Sequence, residues 1–126
     1  MSVGSKILLV EDDQPLRQSI AKLLESHGYS VSQAGNGDVG QFMTLLSDYD
    51  LVISDILMPE IDGIAMTKFI RQRTSTPIIL ITGLKGKEME ERAKEAQADL
   101  FLTKPFDGDD LLEAVEKVLQ KKRISH

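Results

Sequence analysis

The chain of 126 residues lacks cysteine, and aromatic residues make up only 5% of it. Without cysteine, disulfide bonds and thiolate metal sites are excluded, which agrees with a reducing compartment and leads us to expect a cytoplasmic location. Hydrophobic residues still account for 41% of the sequence, so a core can form, but it must be largely aliphatic.

Long apolar runs and a surplus of positive charge are also missing. The apolar segments are too short to span a bilayer, and residues 1–5 lack the charged and apolar parts of a signal peptide. A net charge of −5 argues against a nucleic-acid-binding surface. The length suits one compact domain, which we assign to residues 1–126 with a core of about 6–120.

Short β-prone runs alternate with longer helical patterns along the chain. The predicted strands are residues 6–10, 30–33, 51–54, 77–82 and 100–103. The helices are marked by apolar spacing and by turn residues at their ends. Pro15 opens the first helix, with Asp13 or Gln14 as its cap. Asn36-Gly37-Asp38 opens the second helix, which is marked by Val39, Phe42, Met43 and Leu46, and Asp62 caps the third. Residues 87–97 form the fourth helix, and the last is marked by Leu111, Leu112, Val115, Val118 and Leu119.

This alternation predicts an α/β fold with (βα)₅ order. Helical crossovers between short buried strands require a parallel sheet, with helices on both of its faces. We therefore expect a doubly wound, five-stranded, flavodoxin-like sheet. In such sheets ligands bind outside the carboxyl ends of the strands.

Chemically useful side chains follow four of the predicted strands. They are Glu11, Asp12 and Asp13 after the first strand, Asp55 after the third, Thr82 at the end of the fourth and Lys104 after the fifth. Carboxylates gathered at one sheet edge would repel, by about 4 kcal/mol for two charges ~4 Å apart at an effective dielectric of 20. A proton or a hard cation must relieve this, and all-oxygen ligands favour Mg²⁺ over Ca²⁺. A metal, a lysine, a hydroxyl and a free carboxylate together predict phosphoryl transfer to an aspartate.

Each of these residues also has an ordinary structural interpretation. Asp13 is well placed as a helix cap, and Asp55 alone could be a turn residue. Thr82 could fill a β-branched strand position, and Lys104-Pro105 could end a strand. The coincidence of the required residue types at four strand ends is what favours a common site.

Four motifs in order resemble the receiver domain of two-component response regulators, of the chemotaxis-regulator type, from Lys6 to about Gln120. They are Ile7–Asp13 (ILLVEDD), Asp55–Gly63 (DILMPEIDG), Ile78–Gly83 (IILITG) and Phe101–Phe106 (FLTKPF). The second motif is specific by itself, and the four together are very specific.

The resemblance implies a role for each matched residue. Asp55 would be the phosphoacceptor. Glu11, Asp12, Asp55 and the backbone carbonyl of Leu57 would hold Mg²⁺, with Mn²⁺ as an alternative, and Asp13 falls outside this set. Lys104 would pair with the phosphoryl group, and the Lys104–Pro105 peptide would be cis. Thr82 and Phe101 would be the switch residues.

The resemblance also implies partners and an output. A histidine kinase or phosphotransfer protein would donate the phosphoryl group, and the domain would act on no external metabolite. The fourth helix, fifth strand and last helix would form the responding face and a homodimer surface, with no direct contact to nucleic acid or membrane. Three positions depart from the family pattern: Gly83 for alanine, Gln97 for a glycine at a helix C-terminus, and Leu100 for an acidic residue.

Two functions of other classes are weighed against this signalling switch. A phosphatase of the haloacid-dehalogenase type needs a second acid two residues after its nucleophile, where this chain has Leu57. A flavodoxin-like binding module needs a phosphate-binding loop after the first strand, where this chain has three acids that would repel phosphate without a metal.

Overall fold

A computed structural model describes residues 4–58, 61–83 and 86–124, so Pro59 and Glu60 of the second motif lie outside the described residues. The elements alternate as predicted. In chain order they are β1 (Lys6–Val10), α1 (Gln14–Ser26), β2 (Ser30–Ala34), α2 (Gly37–Leu46), β3 (Leu51–Asp55), α3 (Gly63–Arg71), β4 (Ile78–Thr82), α4 (Lys87–Glu95), β5 (Leu100–Thr103) and α5 (Gly108–Ile124).

The five strands form one parallel sheet in the order β2-β1-β3-β4-β5, which confirms the predicted doubly wound architecture. Hydrophobic residues of α1 and α5 pack on one face of the sheet, and those of α2, α3 and α4 pack on the other. Both β3 and β4 are buried along their whole length, because each lies between two strands and under helices on both sides. All carboxyl ends of the strands therefore meet at one edge.

Polar side chains cap the helices that begin at this edge. Asp13 accepts a hydrogen bond from the Leu16 N–H, so this acid is the cap of α1. Asn36 and Asp62 make the equivalent bonds at the starts of α2 and α3, at 2.8 and 2.7 Å. Each bond satisfies an N–H group that the first helical turn leaves without a partner, which fixes where the helix starts relative to its strand.

The helix α4 is held less firmly than the others. It begins after Gly86 without a side-chain cap, and Ala93 is its one buried residue within Lys87–Glu95. After its C-terminus Gln97 adopts a φ of 70°, the left-handed conformation that glycine favours at this position. The predicted helix of residues 87–97 therefore ends two residues early, at Glu95, and Gln97 lies just beyond its end, at the position where the family pattern has glycine.

The inner face of α2 is formed by two glycines and the partly buried Met43, whereas its other large apolar residues lie away from the core. Gly37 and Gly40 are buried against the rest of the protein, whereas Val39, Phe42 and Leu46 are exposed. The apolar spacing thus predicted the helix correctly, but it did not indicate which side of the helix meets the core.

Two strand ends are more extended than predicted. β2 continues to Ala34, and β3 includes Asp55, which is therefore the last residue of the strand instead of the first residue after it. Among the described residues, the structure contains no helix with the length and apolarity needed to cross a membrane.

Candidate functional site

The carboxyl ends of β1 and β3 bring three acidic side chains together. One carboxylate oxygen from each of Glu11, Asp12 and Asp55 lies within 4.8 Å of the others. Glu11 and Asp55 are buried, at 3% and 7% exposure, whereas Asp12 is exposed. The cluster thus has a buried floor and an open side through which a small ligand can approach.

Asp55 is positioned by both of its carboxylate oxygens. Its Oδ1 accepts a hydrogen bond from the Leu57 N–H at 3.2 Å, and its Oδ2 lies 2.7 Å from the Lys104 Nζ. The backbone of Asp55 is held in the sheet, where it pairs in register with Ile81 of β4. The carboxylate therefore has a defined orientation at the sheet edge.

Lys104 extends from the segment after β5 into the acidic cluster. Its backbone N–H donates to the Thr82 carbonyl oxygen at 2.8 Å, and its peptide with Pro105 is cis, as predicted. The ammonium also lies 3.4 Å from Glu11 Oε1. Burial alone would lower the pKa of Lys104, but the hydrogen bond and charge of Asp55, followed by those of Glu11, outweigh burial and raise it. Lys104 therefore remains a cation in the site.

The surroundings of Glu11 disfavour its charged form. Burial, partly opposed by a hydrogen bond from the Asp13 N–H, combines with the negative charge of Asp55 to raise the pKa of Glu11 from 4.5 to about 7, although Lys104 acts in the other direction. The charge of Lys104 thus does not offset the combined effect of burial and of the Asp55 carboxylate on the pKa of Glu11.

This donor set fits a hard divalent cation. All three side chains offer oxygen ligands, and an additional positive charge would oppose both the burial and the repulsion from Asp55 that raise the pKa of Glu11. Oxygen-only sites with few protein ligands and open positions suit Mg²⁺, which keeps several waters. The Leu57 N–H is committed to Asp55, and the metal-binding role of the Leu57 carbonyl stays a prediction.

The two predicted switch residues lie at different depths. Thr82, the last residue of β4, is fully buried, and its carbonyl oxygen holds the Lys104 backbone. Phe101 in β5 is partly buried and packs against the core cluster beneath α4. Thr82 thus lies at the carboxyl end of the strand next to β3, and Phe101 packs in the same core cluster as Ala93 of α4, whereas Asp13 belongs to the α1 cap.

A family model described as the response regulator receiver domain matches residues 7–116 of this chain. The chain belongs to this family. As a receiver domain it is 34% identical over 97% of its length to the transcriptional regulatory protein PdtaR of Mycobacterium tuberculosis, and 35% identical over 93% to the transcriptional regulatory protein ResD of Bacillus subtilis. It covers only 60% and 49% of those two proteins, so it spans about half of the curated relatives that it matches.

Solved receiver structures share its fold closely. The receiver domain of Francisella response regulator 1452 superposes with a TM-score of 0.90 at 30% identity, covering 94% of this chain and 99% of that one. A receiver domain protein described as CheY-like from Methanospirillum hungatei superposes with a TM-score of 0.92 at 27% identity, covering 98% and 99%.

Two residues to which the sequence patterns gave no role also support the receiver site. Arg17 of α1 donates from Nη1 to the Glu11 carbonyl oxygen at 2.7 Å and from Nε to the Gln33 side chain, which braces the loop carrying the acidic pair. Gly63 packs directly against the backbone of Asp55. Gly63 is the last residue of the Asp55–Gly63 motif, but the motif alone does not indicate this packing role. Arg17 belongs to none of the four motifs, so no pattern in the sequence pointed to it.

Proposed function

We propose that the domain is a phosphoacceptor switch in which Asp55 receives a phosphoryl group from a histidine kinase or a phosphotransfer protein. The observation that carries the proposal is the Asp55 carboxylate, fixed 2.7 Å from a lysine ammonium and clustered with two more acids. A catalytic nucleophile needs this combination of fixed geometry and nearby positive charge.

In the proposed reaction an Asp55 carboxylate oxygen attacks phosphorus, and the bond between phosphorus and the donor nitrogen breaks. Lys104, now hydrogen-bonded to Asp55, would redirect its ammonium to a phosphoryl oxygen. Glu11, Asp12, Asp55 and the Leu57 carbonyl would hold Mg²⁺, or alternatively Mn²⁺. The metal would supply charge that neutralises the phosphoryl oxygens. Thr82 would hydrogen-bond the transferred group.

The two alternative functions have less support from the site. The phosphatase alternative needs an acid where Leu57 stands. The flavodoxin-like alternative needs an anion-binding loop after β1, but that loop carries Glu11 and Asp12. We infer that the domain promotes only its own phosphorylation and dephosphorylation.

Labelling with a small phosphodonor tests the proposal. Acetyl phosphate with Mg²⁺ is expected to add one phosphoryl group to the wild-type chain and none to Asp55→Ala, measured by intact mass. Asp13→Ala is the matched control, because Asp13 caps α1 and lies outside the proposed set, so labelling should persist. Labelling that survives Asp55→Ala would show that another residue is the acceptor.

The proposed output is a rearrangement of α4, β5 and α5, which is also the proposed homodimer surface. Thr82 would move toward the phosphoryl group, and Phe101 would turn into the space released. The helix α4 would repack because, within Lys87–Glu95, Ala93 is its one buried residue and Met89 is only partly buried. Rearrangement of a weakly held element costs little free energy, which makes it suitable as a switch.

Hydrogen exchange tests this output. Beryllofluoride, which mimics the phosphoryl group, is expected to change exchange most within residues 86–101 of the wild-type protein. Asp55→Ala, which cannot bind the mimic at the acceptor, provides the control and should show no change. If the change is confined to α1 and α2, the proposed route of the signal is wrong.

A further inference from the structure

The loop after β1 joins Glu11 to Asp12, the two acids that follow the strand directly. The Glu11 N–H donates to the Ala34 carbonyl oxygen at 3.1 Å, which holds the near side of the loop against β2. On the far side, the Glu11 carbonyl oxygen accepts a hydrogen bond from Arg17 Nη1 at 2.7 Å. Because a peptide group is planar, this bond also sets the direction in which the chain enters Asp12.

Asp12 depends on its backbone more than the other two acids of the cluster do. Glu11 and Asp55 both lie close to the Lys104 ammonium, at 3.4 and 2.7 Å, and both are buried. Asp12 is exposed, and within the part of the chain that the structure describes no hydrogen bond or ion pair holds its carboxylate. The peptide between Glu11 and Asp12 is therefore what directs the Asp12 carboxylate toward the cluster.

Arg17 is itself held in one orientation. It is half-buried near the start of α1, where its backbone N–H donates to the Asp13 carbonyl oxygen at 2.8 Å. Its Nε donates to the side chain of Gln33 in β2 at 3.1 Å. Its Nη1 passes over Gly35, where a Cβ atom would lie 3.4 Å away. A guanidinium is planar and carries its N–H groups at fixed angles, so the bonds to Gln33 and to Glu11 together define its position.

We propose that Arg17 is a positioning residue for the metal site, because its bond to the Glu11 carbonyl oxygen holds Glu11 and Asp12 in the arrangement that binds Mg²⁺. The inference rests on the proposed function, in which these two acids are metal ligands. Folding then orders the loop before the cation arrives, so the cation does not have to restrict the loop on binding. Groups that orient metal ligands from behind typically contribute roughly 10–100-fold to metal affinity.

The charge of Arg17 acts in the opposite direction to its hydrogen bonds. A cation near the site repels Mg²⁺, whereas a group that orders the ligands strengthens binding, so the two effects differ in sign. Both side-chain bonds of Arg17 go to uncharged acceptors, the Glu11 carbonyl oxygen and the Gln33 amide. We expect the positioning effect to be the larger one, because water and salt screen the repulsion at a half-buried side chain.

Calorimetric titration of the full chain with Mg²⁺ measures the Kd and tests the proposal. Arg17→Met keeps the aliphatic stem but loses the hydrogen bonds, and it should weaken Mg²⁺ binding about tenfold, at the lower end of the range because the repulsion is also lost. Arg17→Lys keeps the charge and one donor, and it should restore binding to within about threefold of the wild type. Lys22→Met is the matched control: it removes the same charge from an exposed site on α1 and should leave the Kd unchanged.

Substitution of Gln33 tests whether the orientation of Arg17 matters. Gln33→Met removes the acceptor of the Nε bond, and it should weaken Mg²⁺ binding about threefold, as for the loss of one hydrogen bond. The same substitution should have no further effect in Arg17→Met, because the two residues act through one contact with the loop.

Urea unfolding of each metal-free variant shows that the titrations are made on folded protein. Tighter Mg²⁺ binding in Arg17→Met overturns the inference, since Arg17 would then act through its charge. An unchanged Kd with a lower urea midpoint overturns it too, since Arg17 would then contribute only to overall stability. If acetyl phosphate labels the wild type while Arg17→Met binds Mg²⁺ as tightly as the wild type does, this inference alone fails. A wild type that neither binds Mg²⁺ nor is labelled contradicts the proposed function as well.

Discussion

The metal-free domain is expected to lose about 2 kcal/mol of stability as the pH rises from about 5 to 8, because Glu11 must give up its proton. The folded protein raises the pKa of Glu11 from 4.5 to about 7, so the stabilisation is complete below pH 4.5 and is lost through pH 7. A pKa change of this size corresponds to at most about 3 kcal/mol. The expected loss of about 2 kcal/mol is smaller than this limit because water at the open side of the cluster, where Asp12 is exposed, screens the charges.

Mg²⁺ is expected to offset this loss. The cation and the proton compete for the same carboxylates, so Mg²⁺ should stabilise the domain more at pH 8 than at pH 5. Urea unfolding at several pH values, with and without Mg²⁺, measures both effects as changes in the free energy of unfolding.

Substitution of Glu11 separates this effect from the titration of other groups. Glu11→Gln removes the raised pKa and should flatten the pH dependence of the metal-free protein. Glu25→Gln makes the same chemical change at an exposed site on α1 and should preserve the wild-type slope. A slope that is equally steep in Glu11→Gln would assign the pH dependence to groups outside the acidic cluster.

The fold was predictable because its determinants are local in sequence. β-prone runs bounded by turn residues located the strands, and the short polar side chains Asp13, Asn36 and Asp62 located three helix starts. Only parallel pairing can join strands through helical crossovers, so the architecture followed from the element order. The remaining differences in element bounds are strand ends displaced by one residue and the end of α4, which lies at Glu95 instead of Gln97. Hydrogen bonds to neighbouring segments determine these ends.

The sequence predicted which residues form the candidate site, but not the contacts between them. Parallel strands end at one edge, and this alone brought Glu11, Asp55 and Lys104 into the same prediction. The distances between them depend on residues far apart in the chain: Lys104 reaches an acid 49 positions earlier. The brace formed by Arg17 depends on one rotamer of a long side chain, which no local pattern specifies.

The orientation of α2 shows a second limit of sequence patterns. Apolar residues at helical spacing mark one side of a helix, but the spacing alone does not show whether that side faces the core or the solvent. Here Gly37 and Gly40 decide, because their close contacts with neighbouring elements leave no space for a Cβ atom at those two positions, and Met43 is the one large apolar residue of α2 that packs against the core. Glycine within a helix usually destabilises the helix, so a sequence pattern gives no reason to expect it there. Its role in allowing close packing is visible only in the folded structure.

Gly63→Ala is expected to destabilise the domain by about 3 kcal/mol or more, at or above the upper end of typical overpacking costs. A Cβ atom at this position would lie 2.4 Å from the Asp55 carbonyl oxygen and 2.9 Å from the Ile56 Cα. Both contacts are with backbone, so no side-chain rotation can relieve them. The Gly63 N–H also donates to the Ile56 carbonyl oxygen at 2.8 Å, which holds the start of α3 against the end of β3.

The same substitution should disturb the proposed chemistry, since relief of the clash must displace either α3 or the backbone of Asp55. Labelling by acetyl phosphate should therefore slow in Gly63→Ala even below its melting temperature. Gly83→Ala is the matched control, because its Cβ would meet only Lys104 Cβ at 3.9 Å, an ordinary contact. Its φ lies outside the left-handed range, so alanine there should be neutral or stabilising by about 0.4–1 kcal/mol. Equal urea midpoints for Gly63→Ala and Gly83→Ala would mean that α3 can shift freely at the end of β3, and the close contact would then not be what fixes Asp55.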